Sequence, residues 1–358
     1  MPAAAPAGDQ LGQPASAKAT GSRRQLFILI GIAAVVAAIA VVAAIRFLPL
    51  GGSQQQETPP AEAKPPSVVT TIKTGGTEPD GVAFSLDGKQ AYVTDKQVDS
   101  IVVIDVAANT VTKSLQLRDP VGVAMAPDGK RLYVTNYGLG TVSVVDTTSD
   151  QVTATIPVGR SPIRVAVAPD GRAYVTNFDG GSMSVIDASN SVTATVKLPG
   201  HPTHPAVSPD GKQVYVTSPD ANVVSVVDTA SNGVAASLAI PKAFTIAFSE
   251  SGAKAYVANN GDGTVSVIDV ATGKISSTIA VGSGLERVTV TRDGLRAFVT
   301  NGSANTVAVI DTTTDTVIAT LNVEQTPTEA VATPDSRRVY VTNAGAGSVT
   351  VIDTGVGG

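Results

Sequence analysis

Few side chains in this 358-residue chain could do chemistry. It has two histidines, no cysteine and no tryptophan. A thiolate zinc site is therefore impossible, and disulfides and cysteine-linked lipid anchors are excluded with it. His201 and His204 have the look of a metal pair, but Pro202 and Pro205 make their segment a stiff, extended loop, and no metal is assigned. Quinones stacked on tryptophan, or haem held by several His or Cys ligands, find no residues to hold them, so no cofactor is expected. GxSxG elbows, Walker loops and EF-hand loops are absent from the sequence. What remains is Arg164, His204, Arg287 and Glu329. The two guanidiniums suit bidentate contact with a carboxylate or phosphate, with His204 beside them. Glu329 or His204 next to those cations could serve as a general base in a hydrolase. The bland alternative is that these polar groups only solvate a wet channel mouth.

A repeat singles out these four. Tyr92, Tyr133, Tyr174, Tyr215, Tyr256, Phe298 and Tyr340 follow one another at 41, 41, 41, 41, 42 and 42 residues. Each opens a copy of one phrase (YVTD, YVTN, YVTN, YVTS, YVAN, FVTN, YVTN), and an aspartate stands thirteen residues later, from Asp105 to Asp353. In the second copy, 121–126, 131–136, 141–146 and 151–158 are short runs rich in Val, Thr and Ile, with turn residues between them. Four strands per unit of about forty residues is the size of a propeller blade. The predicted fold is all-β, a seven-bladed propeller of four-stranded antiparallel blades over residues 67–358.

The last copy shows only three strands, and Ser67–Lys73 precedes the first complete copy. That segment is expected to become the outer strand of blade 7 and close the ring. The recurring aromatics are expected to fill space between blades, and the recurring aspartates to accept turn N–H groups. Function should lie where the copies differ. At the start of each inner strand stand Gly81, Gly122, Arg164, His204, Thr245, Arg287 and Glu329, which should ring one mouth of the channel. Neighbouring loops add Asp80, Arg118, Asp119, Tyr137, Arg160, Phe178, Asp179, His201, Asp220, Asn260 and Glu286.

With their V-x-V-[IV]-D strands, the seven phrases resemble the YVTN-type β-propeller repeat family. The resemblance covers about residues 67–358. It implies an extracytoplasmic or cell-surface location more firmly than any activity, and it permits a lactonase-type hydrolase, since similar repeats occur in seven-bladed lactonases. Blade 5 departs from the pattern with Ser249-Glu250-Ser251-Gly252 in place of the Pro-Asp-Gly turn, and blade 7 has Ser336 where glycine is usual.

Ahead of the repeats, residues 1–22 read as a disordered cytoplasmic tail and 23–46 as a transmembrane signal-anchor helix. Residues 47–66, with five prolines, read as a spacer. The uncharged stretch 26–45 would span about 30 Å as a helix and sit in the lipid bilayer. Lys18, Arg23 and Arg24 before it keep the N-terminus inside and send the propeller out as a single-pass protein. The rival reading is secretion after cleavage near Ala40.

The expectation is a membrane-tethered binding scaffold acting through its loop face as a monomeric propeller. Its partner would be a protein, a polysaccharide or a small anionic ligand. The lactonase-type reading remains the alternative. Single-stranded nucleic-acid binding is a third reading, disfavoured by 4% aromatic residues and a net charge of −5.

Overall fold

The computed structural model describes residues 64–356. Among them are twenty-eight strands in seven four-stranded antiparallel sheets. The expected second unit is observed at Pro120–Met125, Arg131–Asn136, Thr141–Asp146 and Gln151–Pro157. Blades 1 to 6 cover 79–116, 120–157, 162–197, 205–239, 243–280 and 285–322. In each, the chain runs from the innermost strand a to the outermost strand d.

Blade 7 takes strands a to c from Pro327–Ala332, Arg338–Asn343 and Ser348–Asp353, and its strand d is Ser67–Lys73. Ser67 faces Asp353 and Lys73 faces Ser348. The register slips by one residue between Val68 and Thr70. Strand d of every other blade carries the same irregularity at the equivalent place, for example between Val144 and Val145 of blade 2. The N-terminal strand therefore reproduces the bulge of its six counterparts as well as their alternation.

Apolar burial is organised into seven clusters, one at each seam between blades. Each repeat aromatic belongs to the cluster shared with the next blade. Tyr340 packs edge-on against Phe84 of blade 1, and Tyr215 does so against Phe248 of blade 5, with centroids 5.1 and 5.0 Å apart. The turn aspartates behave as expected: Asp146 accepts the N–H of Thr148 and of Ser149. The two departures from the Pro-Asp-Gly turn are absorbed locally. Ser251 Oγ accepts the N–H of Ala253, and Ser336 adopts the left-handed φ of +61° that glycine takes elsewhere.

The threonine of each phrase fastens neighbouring inner strands together. Thr94, Thr135, Thr176, Thr217, Thr300 and Thr342 each donate Oγ1–H to a carbonyl in the next blade's strand a or the loop leading into it, from Val121 round to Asp80. Blade 5 has Ala258 at this position. There Thr245, one strand inward, accepts the N–H of Val288 in blade 6 at 3.1 Å, so a hydroxyl still bridges the seam.

Segments 1–22, 26–45 and Ala40 lie outside the described residues, as does all of the spacer up to residue 63. Among the described residues no helix is long and apolar enough to cross a membrane.

Replacing Thr245 with valine keeps its volume but strands the buried Val288 N–H. We expect a loss of about 1–3 kcal/mol on urea unfolding, with Thr245→Ser costing less than half as much. Equal losses would assign the effect to packing.

Candidate functional site at the channel mouth

The ring positions are set by two devices. First, the pairing of strands a and b slips beside the ring residue in six blades, including between Pro162 and Arg164, Leu285 and Arg287, and Pro327 and Ala330. Such bulges re-aim a side chain. In blade 4 the inner strand shrinks to Pro205–Val207, and His204 precedes it. Second, the seam threonine of the same blade accepts the ring residue's N–H: His204 to Thr217 at 3.1 Å, Arg287 to Thr300 at 2.9 Å and Glu329 to Thr342 at 3.0 Å. The hydroxyl that joins blades thus also anchors the site's backbone. Gly81 and Gly122 hold their ring positions for a packing reason: a Cβ on either would lie 2.6 Å from a carbonyl oxygen of the next blade.

Of the four singled-out residues, Arg164, Arg287 and Glu329 join in one ion-pair network, with Asp80 as its fourth member. Arg164, on blade 3, reaches across the channel to blade 1 and grips Asp80 with both terminal nitrogens, at 2.7 and 3.0 Å. Its Nε stands 3.8 Å from Glu329 Oε2 on blade 7. Arg287 Nη2 on blade 6 stands 2.7 Å from the same oxygen. Arg287 and Glu329 are buried, at 4% and 8% exposure.

Burial drives the protonation of the cluster. It lifts the Glu329 carboxyl above its ordinary range, with Arg287 and Arg164 pulling the other way. It lowers Arg287 to about 10, helped by the like charge of Arg164, so this guanidinium stays protonated at neutral pH. Burial would lower Arg164 too, but Asp80 and Glu329 outweigh it and hold Arg164 above its usual value. His204 is pushed well below 6.5 by burial and by the two arginines, which leaves its imidazole neutral and a weak base. Two guanidiniums thus meet the carboxyl groups of Asp80 and Glu329 within the fold, with a neutral imidazole beside them.

The loops around the mouth are also largely self-paired. Lys96 lies 3.5 Å from Asp119 and over the ring of Tyr137. Arg160 donates to the Asp179 carbonyl and Ser161 to its carboxylate. Asn260 donates to the Leu285 carbonyl. Burial raises the Glu286 carboxyl, and Arg118 is exposed. The two histidines do not act together: His201 is exposed and pairs with Asp220 at 2.7 Å, whereas His204 belongs to the axial cluster. Among the described residues no group of three or more His, Asp or Glu could hold a metal ion. Beside Asp80 a cleft of ≈ 410 Å³ opens between blades 7 and 1, lined by Glu78, Lys96, Thr326 and Thr328.

Sequence reasoning missed Asp95. It stands where five other blades have asparagine, whose amide in four of them donates to hydroxyls of strand c, as Asn177 does to Ser182 and Ser184. Asp95 Oδ1 accepts the N–H groups of Glu78 and Gln97, while Oδ2 is buried without a hydrogen-bond partner. Burial raises its pKa above 3.8. The signal was the single D in the row of YVTN phrases.

Two outcomes are expected. Arg287→Met leaves buried Glu329 with only the longer 3.8 Å contact to Arg164 and should cost about 3 kcal/mol in chemical unfolding. The double variant Arg287→Met/Glu329→Leu should recover most of that loss. Asp95→Asn restores the repeat residue, with Ser100 Oγ as acceptor, and should stabilise the fold by about 1 kcal/mol at pH 7. A carboxyl whose folded pKa is raised favours the fold below its unfolded pKa, and that contribution is lost as pH rises through the folded value. The gain should therefore shrink towards zero as pH falls below about 4, as thermal melts across pH would show.

No protein-family model matches the chain, and no curated protein does. Among solved structures, a chain of Kuenenia stuttgartiensis hydrazine synthase is similar, with a TM-score of 0.73 and 22% identity over 80% of this chain and 98% of that one. At that identity the likeness shows the fold alone: the described residues form an all-β, seven-bladed propeller.

Proposed function

We propose that this chain is an extracytoplasmic β-propeller of the YVTN type, tethered to a membrane through residues 26–45, that serves as a binding scaffold through its crossover face. The observation that carries this reading is the placement of the divergent residues relative to the chain's path. Arg164, His204, Arg287 and Glu329, where the seven copies differ, cluster at the mouth on the face where strand d crosses to strand a. Strand Ser67–Lys73 begins at the other face. Ser67 pairs with Asp353, at the far end of the strand from Ser348, and Arg296 donates to the Lys64 carbonyl there at 3.3 Å. A partner approaching the crossover face does not meet the end at which strand Ser67–Lys73 begins.

The axial cluster supports a scaffold more than a catalyst. A hydrolase of the lactonase type would need Glu329 or His204 to take up a proton beside the arginines. Glu329 is instead held by Arg287, and His204 is a weak base.

A photo-crosslinking residue at Arg118 or Asp179 on the crossover face, expressed in intact cells, should give discrete adducts. The same residue at Lys130 or Lys212 on the opposite face should give none. Equal labelling from both faces contradicts the reading. Hydrolysis of sugar lactones by the full chain, abolished by His204→Ala, would replace it with the enzymatic one.

A further inference from the structure

One feature of the crossover face is built for contact and takes no part in the axial cluster. His201 presents an imidazole whose side chain is 51% exposed, yet it is held on several sides. Asp220 grips it twice, accepting the His201 N–H at 3.0 Å and meeting Nδ1 at 2.7 Å. The Phe178 ring backs it at 4.9 Å, tilted by 32°. Gly200 makes the grip feasible, since a Cβ there would stand 2.4 Å from Asp220 Oδ1. Pro202 stiffens the chain on the other side. An exposed side chain ordinarily loses rotamer freedom when a partner binds it; this one has already lost it.

We infer that the His201–Phe178 pair is a stacking plate for a pyranose ring, and that the partner of the crossover face is a neutral polysaccharide. This rests on the scaffold reading and narrows it. A pyranose offers a flat C–H face to a planar ring and hydroxyls to the groups around it. Around this plate those groups are Asp220 and Asp179, carboxylates that already accept from His201, Ala221 and Ser161 and whose remaining lone pairs can take hydroxyl hydrogens, and Arg160, which donates. The charges also select against other partners. Two carboxylates flank the plate against one guanidinium, and Arg160 is already engaged with the Asp179 carbonyl. A polyphosphate would meet the Asp220 and Asp179 carboxylates here, whereas an uncharged glycan meets only hydrogen-bonding partners.

The test is affinity electrophoresis of the full chain in detergent micelles, through gels containing laminarin, hydroxyethyl cellulose or glycol chitin. At least one should retard it. His201→Ala and Phe178→Ala should each weaken retardation about tenfold, the scale of one lost stacking contact. His201→Phe keeps a plate and should stay within about threefold of the parent. The inference is overturned if no neutral polysaccharide retards the chain, if His201→Ala binds like the parent, or if single-stranded oligonucleotides are bound in preference. Crosslinks that persist from the crossover loops in any of those cases would leave the scaffold reading standing while removing the glycan.

Discussion

The pairing of Ser67–Lys73 with Ser348–Asp353 is the constraint on which the rest of the molecule depends. Six blades are each built from one continuous stretch of chain, and only the seventh joins two distant segments. Without that pairing Ser348–Asp353 would be a bare sheet edge, open to association with another chain. The consequence reaches the channel. Glu329 belongs to blade 7 itself and Asp80 to blade 1, which follows Ser67–Lys73 in the chain, and Arg164 of blade 3 contacts both. If the outer strand lets go, the carboxylates that neutralise Arg164 are no longer held at fixed positions.

The axial cluster shows what a closed ring makes feasible. Two guanidiniums and two carboxyl groups taken largely out of water carry a large desolvation cost, which their mutual attraction offsets only with good geometry. The bidentate grip of Arg164 on Asp80 and the short contact of Arg287 with Glu329 supply that geometry. Because Arg164 spans the channel while the seam threonines join only neighbours, it adds a constraint of a different kind, linking blades that do not touch through their sheets.

The fold was largely legible because it is written seven times: period, turn chemistry and the missing strand all agree. The strand at 67–73 falls where expected, down to its bulge. The site was legible only as positions. Aligning the copies gave the ring residues, but the reach of Arg164 across the channel depends on three-dimensional closure, which no local pattern contains. The same holds for Thr245, whose hydroxyl takes over from the one absent at Ala258 only because strand a of blade 5 lies against blade 6. Basic residues two before the aromatic were visible but unread. Arg131, Lys254 and Arg338 donate to carbonyls of the next blade, at Ala188, Thr312 and Val106. The pair His201 and His204 misleads by proximity: three residues apart in sequence, one faces solvent and the other the channel.

Hydrogen exchange of the backbone amides in Ser67–Lys73 tests ring closure most directly. If this strand is an integral part of blade 7, its paired amides exchange only on global unfolding, with protection equal to that of Ser348–Asp353. Exchange of those amides within seconds, while the strands of blades 2 to 5 stay protected, would show that the strand is not what closes the ring.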